Sequence, residues 1–302
     1  MKTTTDPWPP LDYLAAKDVL EAIHMQTQVV GKVKLALTPA APEWQTVPLW
    51  VGGRGLTTGL MRAGDRGLEI AFDFVEHRLG FTTTDGGRSG FDLEPRPLCD
   101  FTAAVMSALA DLGIQVTINP MTVEVPNPVR CDEHRGCGVY DRDVAERLFA
   151  IWSSTALVLE EHRARFWGKQ TQVGMYWGTF DLSVARYNLV PVEASANADL
   201  IHRVAMDSEQ SEVGFWPGSE RYPKPAFFSY TYPKPAGIEQ AHVTPAVARW
   251  DATMGEFLLD YDDVRNSGDP RAAILEFASS TYGAGAERAD WDLALLDRGP
   301  ST

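Results

Sequence analysis

Leu68-Glu69-Ile70-Ala71-Phe72-Asp73-Phe74-Val75-Glu76-His77 sets the fold class of this chain. Leu68, Ile70, Phe72 and Phe74 share one parity and Glu69, Asp73 and His77 the other, so the spacing predicts a half-buried strand. Asp85-Gly86-Gly87 follows between the extended stretches Leu79 to Thr84 and Phe91 to Leu93. That is a hairpin signal, and it makes the sheet antiparallel.

Upstream, a helix is expected over 13–27, with Asp12 as N-cap and Ala16, Leu20 and Ile23 on one stripe. Val29 to Thr38 then alternates like a strand, and Pro48 to Val51 reads as a short one. Downstream, Asp100 is placed as the cap of a second helix that stops at Gly113. Ile114 to Ile118 and Met121 to Val125 read as extended. A third helix covers about 142–166, Gln172 to Tyr187 is strand-rich, and Ala226 to Tyr232 is a further strand. Asp269-Pro270 opens a last helix. Residues 191–225 carry no clear period. The expected fold is α+β: antiparallel sheet covered by helices, in two helix–sheet–helix halves, 1–130 and 131–302, packed as one unit. An ancient duplication accounts for this order, with Gly31-Lys32 matched to Gly168-Lys169; so does the common run of α+β domains.

The 302 residues carry 41 acidic and 27 basic side chains, a net charge of -14, which argues against a general nucleic-acid binder. No apolar run reaches a membrane span, and Met1 to Pro10 has no export signal. Three cysteines make no paired framework, so a cytoplasmic setting is expected. Nucleophile elbow, phosphate loop, dinucleotide fingerprint and zinc-protease helix are all missing.

His24-Met25-Gln26-Thr27-Gln28-Val29-Val30-Gly31-Lys32, Arg54-Gly55-Leu56-Thr57-Thr58, Trp177-Gly178-Thr179-Phe180-Asp181-Leu182 and Gly214-Phe215-Trp216-Pro217-Gly218 carry a resemblance. Together they resemble a bacterial domain-of-unknown-function family over roughly Trp8 to Trp291. The resemblance implies common descent and no particular activity. In that family a His-Glu pair precedes the Gly-Phe-Trp-Pro-Gly segment; here the place reads Ser208-Glu209.

Five constellations are candidates for chemistry. Glu21, His24 and Gln28 form a polar helical stripe, with His24 a candidate acid or base; a solvated face is the alternative. Asp73 and His77, four residues apart, stand about 13 Å from each other along a regular strand, so they form no dyad, although each can line a pocket. Lys32, Arg54 and Lys169 are candidate holders of an anionic group, or else structural ion pairs. Cys131, His134 and Cys137 share a loop but fall one ligand short of a closed zinc site. Aromatics crowd the second half, where Trp177 and Trp216 are candidates for the wall of a small-molecule pocket, with Asp181, Glu209 and Ser211 as its polar groups and core packing as the alternative. The functional expectation is therefore a small-molecule pocket protein, with cofactor-independent acid–base chemistry on a small anionic or aromatic compound. His24 is the proton-transfer group, with Asp73 or Glu209 as its second. Non-catalytic ligand binding is the rival. No cofactor, metal, nucleic acid or membrane is called for.

Overall fold

The computed structural model describes residues 6–296; the first five residues of the Met1 to Pro10 segment and the last six of the second half lie outside them. Helix α1, Tyr13–Leu37, is capped by Asp12, whose carboxylate accepts from the backbone of Leu14 and Ala15. It runs ten residues past the expected end, so the strand expected at Val29 to Thr38 is helix instead. The reason is burial on all sides: Met25 through Lys34 are every one buried. A helix sheltered all round loses its 3.6-residue stripe, and the chance alternation of Val and Lys imitates a strand.

A 3-10 turn at Pro42–Trp44 leads into the first sheet: β1 Trp50–Gly52, β2 Gly55–Thr57, β3 Met61–Ala63, β4 Arg66–Asp73, β5 Arg78–Thr83 and β6 Arg88–Asp92. Its order is β1-β2-β4-β5-β6, with β3 also on β4, and every pairing is antiparallel. Strand β4 ends at Asp73, not His77; the chain turns there, with Val75 and Glu76 N–H groups on the Asp73 carboxylate and His77 at φ 54°. Helix α2, Leu98–Asp111, starts two residues before Asp100 and covers β6. The extended stretches expected from Ile114 to Val125 form no strand, only an isolated bridge between Met121 and Arg130.

Helix α3, Arg142–Ala164, is capped by Asp141 and lies close to its expected bounds. The second sheet contains β7 Gly174–Tyr176, β8 Asp181–Pro191, β9 Ser208–Trp216, β10 Ala226–Tyr232, β11 Arg249–Asp251 and β12 Glu256–Asp260. They run in the order β11-β12-β10-β9-β8-β7, again antiparallel. A short helix α4, Leu200–Ala205, precedes β9, and a second 3-10 turn, Ile238–Gln240, follows β10. Helix α5, Tyr261–Arg265, follows β12. Helix α6, Pro270–Arg288, opens at its Asp269 cap as expected, and α7 is Leu293–Leu296.

Each half therefore runs long helix, six-stranded sheet, helix. The Gly-Lys correspondence does not hold, because Gly31-Lys32 lies inside α1 while Gly168-Lys169 follows α3 in a loop. Reciprocal backbone bonds between Leu49 and Met175, 2.9 and 2.8 Å, join the sheet edges. One apolar cluster runs through both halves, from Ile23 and Phe72 to Trp152, Phe215 and Phe277. Helices α3 and α6 cover one face of the second sheet, burying Leu182, Val184, Val213, Phe215, Phe227 and Leu259. The opposite face carries the polar residues that build the site.

Candidate functional site

Strand parity decides which side chains meet. Ala185 pairs with Glu212 and Tyr187 with Gln210 across β8 and β9; Tyr230 pairs with Glu212 and Phe228 with Gly214 across β10. Alternation then puts Asp181, Ser183, Ala185, Tyr187, Gln210, Glu212, Trp216, Phe228 and Tyr230 on one face. Gly214 sits at its centre, where a Cβ would stand 2.6 Å from Ser183 Cβ and 2.7 Å from the Phe228 ring. This face forms the floor of a cavity of about 890 Å³, within the range of small-molecule sites. Lys32 and Ala36 of α1, Trp44, Glu124, α4 and Met254 close it in.

The walls are held by contacts between the distant sequence motifs. Gly31 leaves room for the Trp177 indole: a Cβ there would lie 2.3 Å from the ring. The same indole donates to Val47 O at 3.0 Å, and Lys32 Nζ stands 5.6 Å from its ring centre. The His24 Nε2–H is shared by the carbonyls of Trp177 and Gly178, at 3.1 and 3.0 Å. Its ring stacks on Phe180 with centroids 4.7 Å apart. Burial lowers the His24 pKa to about 4, the two carbonyls opposing that shift, so the ring is neutral. Gln28 exchanges two bonds with the Val123 backbone, 2.8 and 2.9 Å. His24 and Gln28 thus fasten the turn before β8 and the segment carrying Glu124, and neither lines the cavity.

Carboxyl groups dominate the floor. Burial, and then the neighbouring charge of Glu212, pushes Asp181 up to about 7. Burial raises Glu212 as well, opposed by the Ser183 and Tyr230 hydroxyls. The Thr179 hydroxyl donates to Asp181, and Tyr230 donates to Glu212. Glu256 is pushed up to about 8 by burial and by Glu212 and Asp181, and Glu124 is raised by burial. Glu43, buried at the rim, is paired with Lys169 at 2.5 Å. Glu43 and Trp44 both take positive φ, 49° and 54°, a conformation that costs a non-glycine residue about 1 kcal/mol or more. The Lys169 pair and a 3.0 Å bond from the Trp44 indole to Ile201 O hold them there. A smaller cavity, about 290 Å³, lies beside Lys34, whose ammonium donates to Pro48 O and whose pKa burial lowers to about 8.

The chain belongs to DUF5996, a family of unknown function. Its family model matches residues 8–298. Neither a curated protein nor a solved structure matches the chain. The resemblance read from the motifs is thus the family itself.

In this DUF5996 member the sequence-predicted residues divide into separate groups. Lys32, Trp177, Asp181 and Trp216 line the cavity together. The three expected proton-transfer residues do not meet. His24 is bonded to the Trp177–Gly178 turn; Asp73 accepts from Arg54 Nε at 2.5 Å beside Glu76 on the first sheet; Glu209 accepts from Asn188 at 2.8 Å. His77, buried, contacts Tyr140 at 3.0 Å and Glu146 at 3.2 Å. Arg54 is ion-paired with Asp73 and Lys169 with Glu43. Cys131 is buried, and burial raises both it and Cys137, the latter to about 11. Among the described residues no group of three or more His, Cys, Asp or Glu side chains is arranged to hold a metal ion.

The site residues that sequence reasoning missed are Glu124, Glu212, Glu256 and Gln210. For β9 the signal existed: Gln210, Glu212, Gly214 and Trp216 share one parity, whereas Glu209 and Ser211 have the other. Without the strand assignment that parity was unreadable, and a one-residue slip exchanges the faces.

Proposed function

We propose that this protein holds a small organic molecule in the cavity over the second sheet, and that Asp181 and Glu212 act there as an acid–base pair. The observation that carries this reading is their shared place on the cavity face, Asp181 buried and Glu212 half-buried, with both carboxyls raised and the Ser183 hydroxyl beside both. Two neighbouring carboxyls in a poorly solvated site resist double ionisation, so they retain one shared proton near neutral pH. A group that is half protonated at the working pH both gives and takes a proton readily. Eliminations, isomerisations and cyclisations are reactions that such a pair runs unaided. The aromatic side chains Trp44, Trp177, Trp216 and Phe228 supply apolar walls. The lining favours a neutral or cationic ligand over the anionic one expected from Lys32, Arg54 and Lys169. His24, neutral and bound to carbonyls, is a positioning residue for the Trp177 wall.

A cytoplasmic setting accompanies the proposal: Cys99, Cys131 and Cys137 are all free thiols, and no helix among the described residues is long and apolar enough to cross a membrane. The test is a thermal-shift screen against metabolites, followed by turnover assays on each hit. Catalysis predicts conversion by the wild type and a loss of about 100-fold or more in the turnover of bound ligand in Asp181→Asn and Glu212→Gln. A ligand bound but never converted leaves the non-catalytic carrier, and variants with undiminished turnover remove the pair from the account.

A further inference from the structure

Resting on the reading of this cavity as a ligand site, we infer that its ligand is an organic cation: an ammonium group, primary to quaternary, on a small apolar frame. The lining is unbalanced in charge. Glu124, Asp181, Glu212 and Glu256 line the cavity, and none of the four has an ion-pair partner among the described residues. Two cations line it as well: Lys32 stands over the Trp177 ring, and the Arg221 guanidinium donates to Thr253 O and partly offsets the charge of Glu256, so the acids outnumber them. The carboxylate of Glu43 is already matched by Lys169.

Beside the carboxyls lies an aromatic corner. The Trp216 and Phe228 rings are 5.7 Å apart and the Phe228 and Tyr230 rings 6.5 Å, with the Tyr230 hydroxyl on Glu212. Aromatic faces next to carboxylates are what an ammonium group binds: the ring quadrupole and the anions act in the same direction. An anion entering here meets four acids, and a purely apolar guest leaves them desolvated without compensation. A second feature points the same way. The Oε1 of Gln210, a residue 2% exposed that lines the cavity, accepts no hydrogen bond. A buried acceptor left open is unfavourable, and a ligand N–H or O–H that reaches it removes that cost.

Cation binding must be linked to protons. Facing the Asp181–Glu212 pair are Tyr176 on β7, Tyr187 on β8, Tyr230 on β10 and Glu256 on β12, with Asp251 behind it on β11. Glu124 faces it from the segment before α3, with Asp199 and His202 of α4 nearby; Asp207 and Glu43 act on Tyr187, and Lys32 and Arg221 complete the set. A cation prefers the ionised carboxyls, so affinity rises as pH increases through their titration and protons leave on binding.

The experiment is titration calorimetry of the full chain with tetramethylammonium, choline and putrescine, beside the neutral carbon isostere dimethylbutanol and the anion dimethylbutyrate. The expected result is binding of at least one cation, at least tenfold tighter than either control. Affinity should rise up to about tenfold per pH unit between roughly pH 6 and 8, with proton release seen as a buffer-dependent heat. Glu256→Gln should weaken the cation and flatten that pH dependence. Failure of every cation at millimolar concentration across this range overturns the inference, as does tighter binding of the neutral or anionic probe. Ala185→Trp and Met206→Trp separate this from failure of the underlying reading. Both fill the cavity, so a cation bound equally by the wild type and by either folded variant sits elsewhere, and then the cavity itself is lost as the site.

Discussion

The outer face of the first sheet and the cavity face of the other sheet are alike in sequence and behave oppositely. Both carry acids at alternating strand positions. On the first sheet Asp73 pairs with Arg54, Glu69 accepts from Thr57 at 2.5 Å, and Arg78 meets Asp92 at 3.4 Å. These contacts lie in solvent, where the high dielectric makes each pair worth little. On the second sheet Asp181, Glu212 and Glu256 are roofed by α1, α4 and the loops, with no ion pair among the described residues, and their charged forms are disfavoured. What covers a strand face, more than the residues on it, decides whether a carboxylate is decoration or machinery.

The contrast is tested most severely at the ion pairs. Lys169→Met strands the Glu43 carboxylate, whose side chain is only 2% exposed, and should cost about 3–5 kcal/mol in urea denaturation. A cost below about 1 kcal/mol would put this rim pair in the same class as the surface pairs. Next comes the wall. Gly31→Val forces the Trp177 ring away and should cost about 2–3 kcal/mol, even though valine is the better helix former. In a double-mutant cycle with Trp177→Leu, most of that loss should disappear.

The third prediction concerns pH. A carboxyl whose folded pKa lies above its unfolded value binds more protons when folded, so stability falls as pH rises between the two and stays lower above them. For Asp181 that window runs from the ordinary aspartate value of 3.8 to about 7. Asp181→Asn removes the fall, so above pH 7 the variant should be more stable than the wild type by about 1–3 kcal/mol, and below about pH 4 the advantage should vanish. Equal curves at all pH would show that Asp181 is solvated. Smallest of all, Arg54→Met on the first sheet should leave the urea midpoint almost unchanged, and added salt should erase what difference there is.

Much of the fold was legible. The α+β class, antiparallel pairing, the β5–β6 hairpin and the caps of α1 and α6 follow from period and capping chemistry. The second half of α1 was not, because a helix packed on every side has no polar face to reveal its period. The site was legible in its aromatic wall, Trp177 and Trp216, and in Asp181, since these sit in motifs with distinct composition. Its other acids were hidden for different reasons. Glu212 lies in a strand masked by a polar neighbourhood, Glu256 on a short strand that carries no alternation to read, and Glu124 on irregular chain brought in by Gln28. His24 drew attention as a titratable group near neutrality, but burial and two carbonyls turn it into a fastener.

The proposed sharing of one proton by Asp181 and Glu212 is tested directly by following side-chain carboxyl carbons through a pH titration in protein labelled at Asp and Glu. At least one resonance, absent in Asp181→Asn and displaced in Glu212→Gln, should titrate near pH 7. If every carboxyl titrates below about pH 5, within the ordinary range for Asp and Glu, the sheltered acid pair does not exist.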